Sequence, residues 1–309
     1  MKSRVVSSIC GIAAALAGLI WCATAIAQVA LPAHTIEQVV MVPKVGAEDT
    51  VDLETTIFRP PGEGRRPLVV INHGKTPGKP AFQRRARFAA QTAEFVRRGF
   101  VVALPMRKGF SKSGGKYVGG SCDVGANGMA QAEDVIAALD YLVEQPYVDP
   151  TRIVVIGQSF GGLSTMALST IGYPGVVGVI NFAGGLRNES CSGWENNLVD
   201  VFGDYGRGAR YPSLWIYGDN DRFWPWPLPE RMFNSYKANV SGAAKDTRFV
   251  DVGEFDGDSH QLFSDSAGIA VWLPEVEAFF RDHGLPFDVQ PPESEPVTRG
   301  VTSNRRQKS

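Results

Sequence analysis

The residues best placed to do chemistry are Gly157-Gln158-Ser159-Phe160-Gly161, whose G-x-S-x-G spacing sets a serine hydroxyl at a sharp turn from strand to helix. Glycine suits both flanks, because the backbone at such a turn is strained and adjoining segments come so close that a Cβ at 157 or 161 would clash. Ile153 to Ile156, just before, is short, apolar and β-branched, as a buried strand requires. Leu163 to Ile171, just after, mixes small and apolar residues suited to a helix packed on a sheet. Ser159 is therefore the candidate nucleophile.

A serine hydroxyl is a weak nucleophile at neutral pH and needs a base. Of the four histidines, His34 lies near the start of the chain, His283 ends the last helical segment, and His73 sits beside a glycine after a strand. His260 lies in the polar loop Asp256-Gly257-Asp258-Ser259-His260-Gln261, from which an imidazole can reach over a sheet edge. It is the expected general base. The carboxylate that would fix its tautomer comes from Gly218-Asp219-Asn220-Asp221. Asp221 is preferred to Asp219 because it lies further out on the loop, and Asp256 and Asp258 read as solvated loop charges. An oxyanion would be met by the backbone N–H of Phe160 and by that of Lys75, in the turn after an earlier strand. His73 would then shape that turn. Neither metal-ligand spacing nor a phosphate-cradling loop is present in the sequence, so no metal or cofactor is expected.

These residues need a frame. Ile36 to Val42 and Val51 to Phe58 read as an antiparallel pair, and Leu68 to Ile71 as the first strand buried on both faces. Then follow a basic helix over Phe82 to Arg98, a strand at Phe100 to Leu104, and a glycine-rich loop from Arg107 to Gly120. A helix over Ala130 to Glu144 and the strand Arg152 to Ile156 lead into the serine turn. Strands at Val176 to Phe182, Ser213 to Tyr217 and Arg248 to Val252 and a helix over Ala267 to Asp282 complete the alternation. Such alternation predicts an α/β fold, a mostly parallel central sheet with helices on both faces. The segment from about 184 to 210 reads as an irregular insertion over the edge where ligands bind in such sheets.

With 44% hydrophobic residues the chain can bury a large single core, and 31 basic against 32 acidic side chains give no reason to expect nucleic acid as a partner. Lys2, Arg4, an apolar stretch from Ile9 to Ile26 and Ala25-Ile26-Ala27 have the form of a signal peptide over residues 1–27. A retained membrane anchor is the alternative, and lipidation at Cys22 is disfavoured by the bulky Trp21. Cleavage near Ala27 would export the protein to the periplasm or medium, with no stable membrane partner. Residues 28–285 would form the domain and 286–309 a disordered tail. Cys122 and Cys191 would remain as the only cysteines, which in an oxidising compartment suggests one disulfide, with two buried thiols as the alternative.

His73-Gly74, the serine turn, Gly218 with Asp221 and Pro225, and His260 together resemble the α/β-hydrolase superfamily, and within it the dienelactone hydrolase-like and secreted serine esterase group. The resemblance spans roughly residues 36 to 285. Arg107-Lys108-Gly109 is similar to the arginine-glycine loop of these hydrolases, with Lys108 as a departure. Dienelactone hydrolases use a cysteine nucleophile, so Ser159 argues against that substrate. The resemblance implies hydrolysis of a small carboxylic ester by a serine hydrolase, through a Ser159, Asp221, His260 triad and an acyl-enzyme. A peptidase or amidase and an acyltransferase share that triad, and the large extra domain with which oligopeptidases filter peptides is not apparent. A binding module on the same scaffold is disfavoured by three competent side chains in the right order. Trp194, Phe223, Trp224 and Trp226 could line an acyl pocket or simply pack. Arg107, Lys108 and Lys112 read as a solvated basic loop, with attraction of an anionic substrate as the alternative.

Overall fold

The computed structural model describes residues 30–46 and 50–291. The signal-peptide reading and most of the tail reading fall outside them. Among the described residues, eight strands form one sheet in the order β1-β2-β4-β3-β5-β6-β7-β8. The strands are β1 (Ile36–Val45), β2 (Thr50–Arg59), β3 (Arg66–Asn72), β4 (Val101–Pro105), β5 (Val148–Gln158), β6 (Val176–Phe182), β7 (Ser213–Tyr217) and β8 (Thr247–Asp251). β1 and β2 pair antiparallel, as do β2 and β4, and the other pairs are parallel.

The period-2 alternation of side chains divides each central strand between two cores. Leu68 and Val70 of β3 and Ile153 and Val155 of β5 point into one apolar cluster, covered by α2 (Val124–Val143), α3 (Phe160–Ile171), α4 (Trp194–Gly208) and α5 (Leu228–Lys237). Val69, Ile71, Val154 and Ile156 point into the other, where α1 (Ala89–Val96) and α6 (Ile269–Asp282) bring Phe95, Trp272 and Phe280 against the sheet. Burial on both faces explains why these strands read as unbroken apolar runs.

Three expectations need correction. The helix expected from Phe82 begins only at Ala89: Phe88 takes a left-handed φ of 40°, and Arg85 and Arg87 before it reach across to Glu37 at 3.2 and 2.5 Å. Residues 184–210 are not an irregular insertion, since most of them form α4, the crossover helix between β6 and β7. The tail does not start at 286 either. Phe287 is buried against Phe95, Phe100 and Phe280, and Gln290 N–H donates to Arg97 O at 2.8 Å.

Candidate active site

β5 delivers Ser159 at the carboxyl edge of the sheet, with φ 56° and ψ −123°, a combination that L-residues avoid. The two glycines explain how the chain turns there. A Cβ on Gly157 would lie 2.1 Å from Gly161 O, and one on Gly161 would lie 2.0 Å from Asn72 O. The turn is held by Ser159 N–H donating to Phe182 O at 3.0 Å and by Ser159 O accepting from Gly162, Leu163 and Gly185 at 2.8, 3.2 and 3.0 Å. The serine side of the site is thus built from the mutual approach of β3, β5, β6 and α3.

The loops after β7 and β8 bring Asp221 and His260 together. His260 Nδ1 lies 3.0 Å from Asp221 Oδ2, with both side chains buried. Asp221 Oδ1 accepts from the N–H groups of Phe223 and Trp224 at 2.7 and 3.1 Å, so the carboxylate is oriented before it meets the imidazole. Asp219 is exposed instead, and loss of hydration together with Asp251 and Glu254 raises its carboxyl above the usual range. Asp258 is not a solvated charge: its Oδ1 accepts from Arg222 N–H and from His260 N–H, both at 3.1 Å. The sequence reading also passed over Asn220, whose Oδ1 accepts from Phe255 and Ser259 N–H at 3.1 Å and whose Nδ2 donates to Asp256 O at 3.0 Å. Its place beside Asp221 in a loop was the one available signal. Asn220 splices the two loops, and Gln158 Nε2 donates to His260 O at 3.2 Å, tying the histidine back to the serine turn.

On the other side of Ser159 runs the turn after β3. A Cβ on Gly74 would come within 2.7 Å of Gln158 Oε1 and 3.1 Å of Ser159 Cβ, so glycine is what lets this turn close on the serine. Among the described residues, the N–H groups of Lys75 and Phe160 have no hydrogen-bond acceptor. His73 is buried, with Nδ1 2.7 Å from Gly74 O and its ring edge-on to Phe110 at 4.7 Å. Burial first, and then Arg107, lower its pKa well below the usual imidazole value, so it is neutral at pH 7.

Arg107 is the largest departure from expectation at the site. It is no part of a solvated loop but is fully buried, with Nη2 donating to His73 O at 2.6 Å and Nε to Gln131 Oε1. Its guanidinium also stacks near the rings of Phe110 and Phe160, at 5.5 and 5.6 Å. It forms no ion pair among the described residues, and burial pulls its pKa from 12.5 down to about 10, still charged at pH 7. One buried cation therefore touches both the Gly74 turn and the residue that follows the serine.

Ser159, His260, Gly74 and Lys75 line one cavity of about 520 Å³, within the range of small-molecule sites. Of the four aromatics considered for its wall, Phe223 lines it, with its ring 4.3 Å from that of His260. Trp224 is core packing, 1% exposed, its Nε1 donating to Ala183 O at 2.7 Å. Trp194 lies under Arg187 at 5.3 Å and Trp226 against Phe249 at 6.5 Å, both outside the lining. Phe82, Arg84 and Phe88, expected within a basic helix, line it as well. Cys122 and Cys191 form a disulfide that joins the loop before α2 to the loop before α4.

The sheet order and the serine turn at its carboxyl edge are those of the α/β-hydrolase fold, and the comparisons with known proteins show the same fold. Residues 86–176 match the model of the prolyl oligopeptidase family, Peptidase S9. No curated protein matches the sequence at a significant level. Among solved structures, the chain is similar to an esterase from Pyrococcus furiosus with 16% identity and a TM-score of 0.58, covering 81% of this chain and 91% of that one. It is similar to a dienelactone hydrolase-like promiscuous phosphotriesterase from metagenomic libraries with 20% identity and a TM-score of 0.54, covering 80% and 98%. An acylaminoacyl peptidase from Pyrococcus horikoshii aligns with 13% identity and a TM-score of 0.60, over 82% of this chain and 42% of that one.

Proposed function

We propose that this protein is an exported serine hydrolase of carboxylic esters, working through Ser159, His260 and Asp221. The observation that carries the reading is that Ser159, on a strained turn, and His260, held by Asp221, open onto the same cavity. With Nδ1–H donated to Asp221, His260 offers Nε2 as the base. It takes the Ser159 proton as Oγ attacks the ester carbonyl, while the N–H groups of Phe160 and Lys75 receive the oxyanion. The protonated imidazole then gives its proton to the departing alcohol. Water, deprotonated by the same imidazole, opens the acyl-enzyme and releases the acid. An alcohol in place of that water would make the reaction an acyl transfer.

Export is supported by the signal-like N-terminus and by the disulfide. Among the described residues no helix is long and apolar enough to cross a membrane. The peptidase-family match over residues 86–176 favours amide hydrolysis as the second reading. Both are tested by steady-state kinetics on p-nitrophenyl esters of increasing chain length and on a peptide p-nitroanilide, with the wild type and Ser159→Ala. Ester turnover that vanishes in the variant is expected. Turnover of the anilide alone would transfer the assignment to peptidases, and equal inertness of both proteins would refute it.

A further inference from the structure

The lining of the cavity that holds Ser159 carries an unusual charge balance. Among the described residues that line it are three permanent cations, Lys75, Arg84 and Arg87, and no acidic residue. Arg87 is paired with Glu37 at 2.5 Å, a carboxylate it shares with Arg85. The other two are not neutralised. Lys75 Nζ donates only to the carbonyls of Thr76 and Gly78, at 3.2 and 3.1 Å, and Arg84 has no hydrogen-bond or ion-pair partner among the described residues. Over the whole chain basic and acidic groups nearly cancel, at a net charge of −1, so the excess is local to this cavity. The same lining carries apolar surface: Phe82 and Phe223 are 81% and 38% exposed, and Phe88 lines the cavity with them. A single exposed arginine would say nothing. Two unneutralised cations beside exposed rings, in the same cavity as the proposed nucleophile, describe a substrate with an apolar body and a negative charge.

We infer that the site selects carboxylic esters that also bear a free carboxylate, separated from the scissile bond by an apolar or aromatic spacer. The inference rests on the proposed ester hydrolysis and names its substrate class. Lys75 and Arg84 hold the carboxylate, Phe82, Phe88 and Phe223 the spacer, and Ser159 meets the ester carbonyl. The reaction balances as simple hydrolysis: the bond from acyl carbon to alkoxy oxygen breaks, the water oxygen joins the acyl carbon, and the alcohol leaves with a proton. The new acid then ionises, so the products carry one more negative charge than the substrate.

Two matched pairs of esters test this in the full-length mature protein. Phenyl acetate against meta-acetoxybenzoate places the charge on the alcohol side, and p-nitrophenyl hexanoate against mono-p-nitrophenyl adipate places it on the acyl side. In at least one pair kcat/KM is expected to be about tenfold higher for the anion at low salt, as for one moderate charge contact. That ratio should shrink as ionic strength rises to about 0.5 M. Arg84→Gln should bring it towards unity, and Arg84→Lys should keep most of it. Whichever pair responds locates the carboxylate on that side of the scissile bond. The inference is overturned if the neutral esters are hydrolysed as well as their anionic partners, a result that leaves the ester-hydrolase reading intact. If no ester of either pair is turned over, the hydrolase reading itself fails, and this one with it.

Discussion

Replacing Arg107 by methionine should separate activity from stability. The substitution deletes the 2.6 Å bond from Nη2 to His73 O and the bond to Gln131. A hydrogen bond from a charged donor contributes about 1.5–3 kcal/mol, and a buried carbonyl left without a partner costs about 1–3 kcal/mol. The opposing gain is of the same size. Burial lowers the arginine pKa from 12.5 to about 10, which corresponds to roughly 3 kcal/mol spent keeping the charge there. A methionine removes that cost and keeps the contacts with Phe110 and Phe160. The net loss of stability should therefore be small, about 0–2 kcal/mol. Activity should not be spared, because Arg107 holds the Gly74-Lys75 turn against the serine and packs under Phe160, the two proposed sources of oxyanion donors. Misplacing one such donor costs about 10²–10³ in rate. The assay is kcat and KM on a p-nitrophenyl ester beside urea denaturation. A fall in kcat of that order, with KM little changed and partial recovery in Arg107→Lys, is expected. Full kcat in a variant destabilised by several kcal/mol would show that Arg107 is packing alone and refute the reasoning.

Three further outcomes follow from the same geometry. Gly157→Ala should fail to fold or lose more than about 3 kcal/mol, because its Cβ would meet Gly161 O at 2.1 Å; soluble yield and circular dichroism check it. His73 is held neutral with its pKa well below 6.5. Its contribution to stability is full above pH 6.5 and falls as pH drops below that value, by up to about 1.4 kcal/mol per unit until the folded-state pKa is reached. His73→Gln should flatten that acid-side decline in Tm, while an unchanged profile would assign the decline to other groups. Removing the Cys122–Cys191 disulfide, which closes a separation of 69 residues, should cost about 4 kcal/mol on the chain-entropy account, read as a lower denaturation midpoint in the double serine variant.

The central strands were legible because burial on both faces leaves a plain signal, runs such as Leu68 to Ile71 and Val176 to Phe182 that only a covered sheet tolerates. The serine turn was legible because glycine at 157 and 161 is required by contact rather than by preference. α4 was hidden by the reverse of that logic. Its segment carries Gly203, Gly206 and Gly208, residues of low helix propensity, yet a Cβ on Gly206 would lie 2.4 Å from Tyr236 O and one on Gly203 2.5 Å from Ser235 Oγ, so two of them let α4 lie close against α5. Arg107 was misjudged because one basic residue among Lys108 and Lys112 looks solvated. Nothing local records that His73 O and Gln131, 34 and 24 residues away, converge on it. The part of the cavity lining given by Phe82 and Arg84 was missed for the same reason, since the helical pattern from Phe82 to Arg98 conceals the left-handed residue at Phe88, before which no α-helix forms.

The central claim is that Ser159 is a nucleophile activated by the His260–Asp221 pair, and covalent trapping tests it most directly. The mature protein is treated with a p-nitrophenyl alkylphosphonate and followed by intact-mass and peptide mass spectrometry, beside Ser159→Ala and Asp221→Asn. The account predicts one phosphonyl group per chain, located on Ser159, absent from Ser159→Ala and acquired far more slowly by Asp221→Asn, where the imidazole loses its carboxylate partner. Labelling of another residue, or equal labelling of Ser159→Ala, would contradict it.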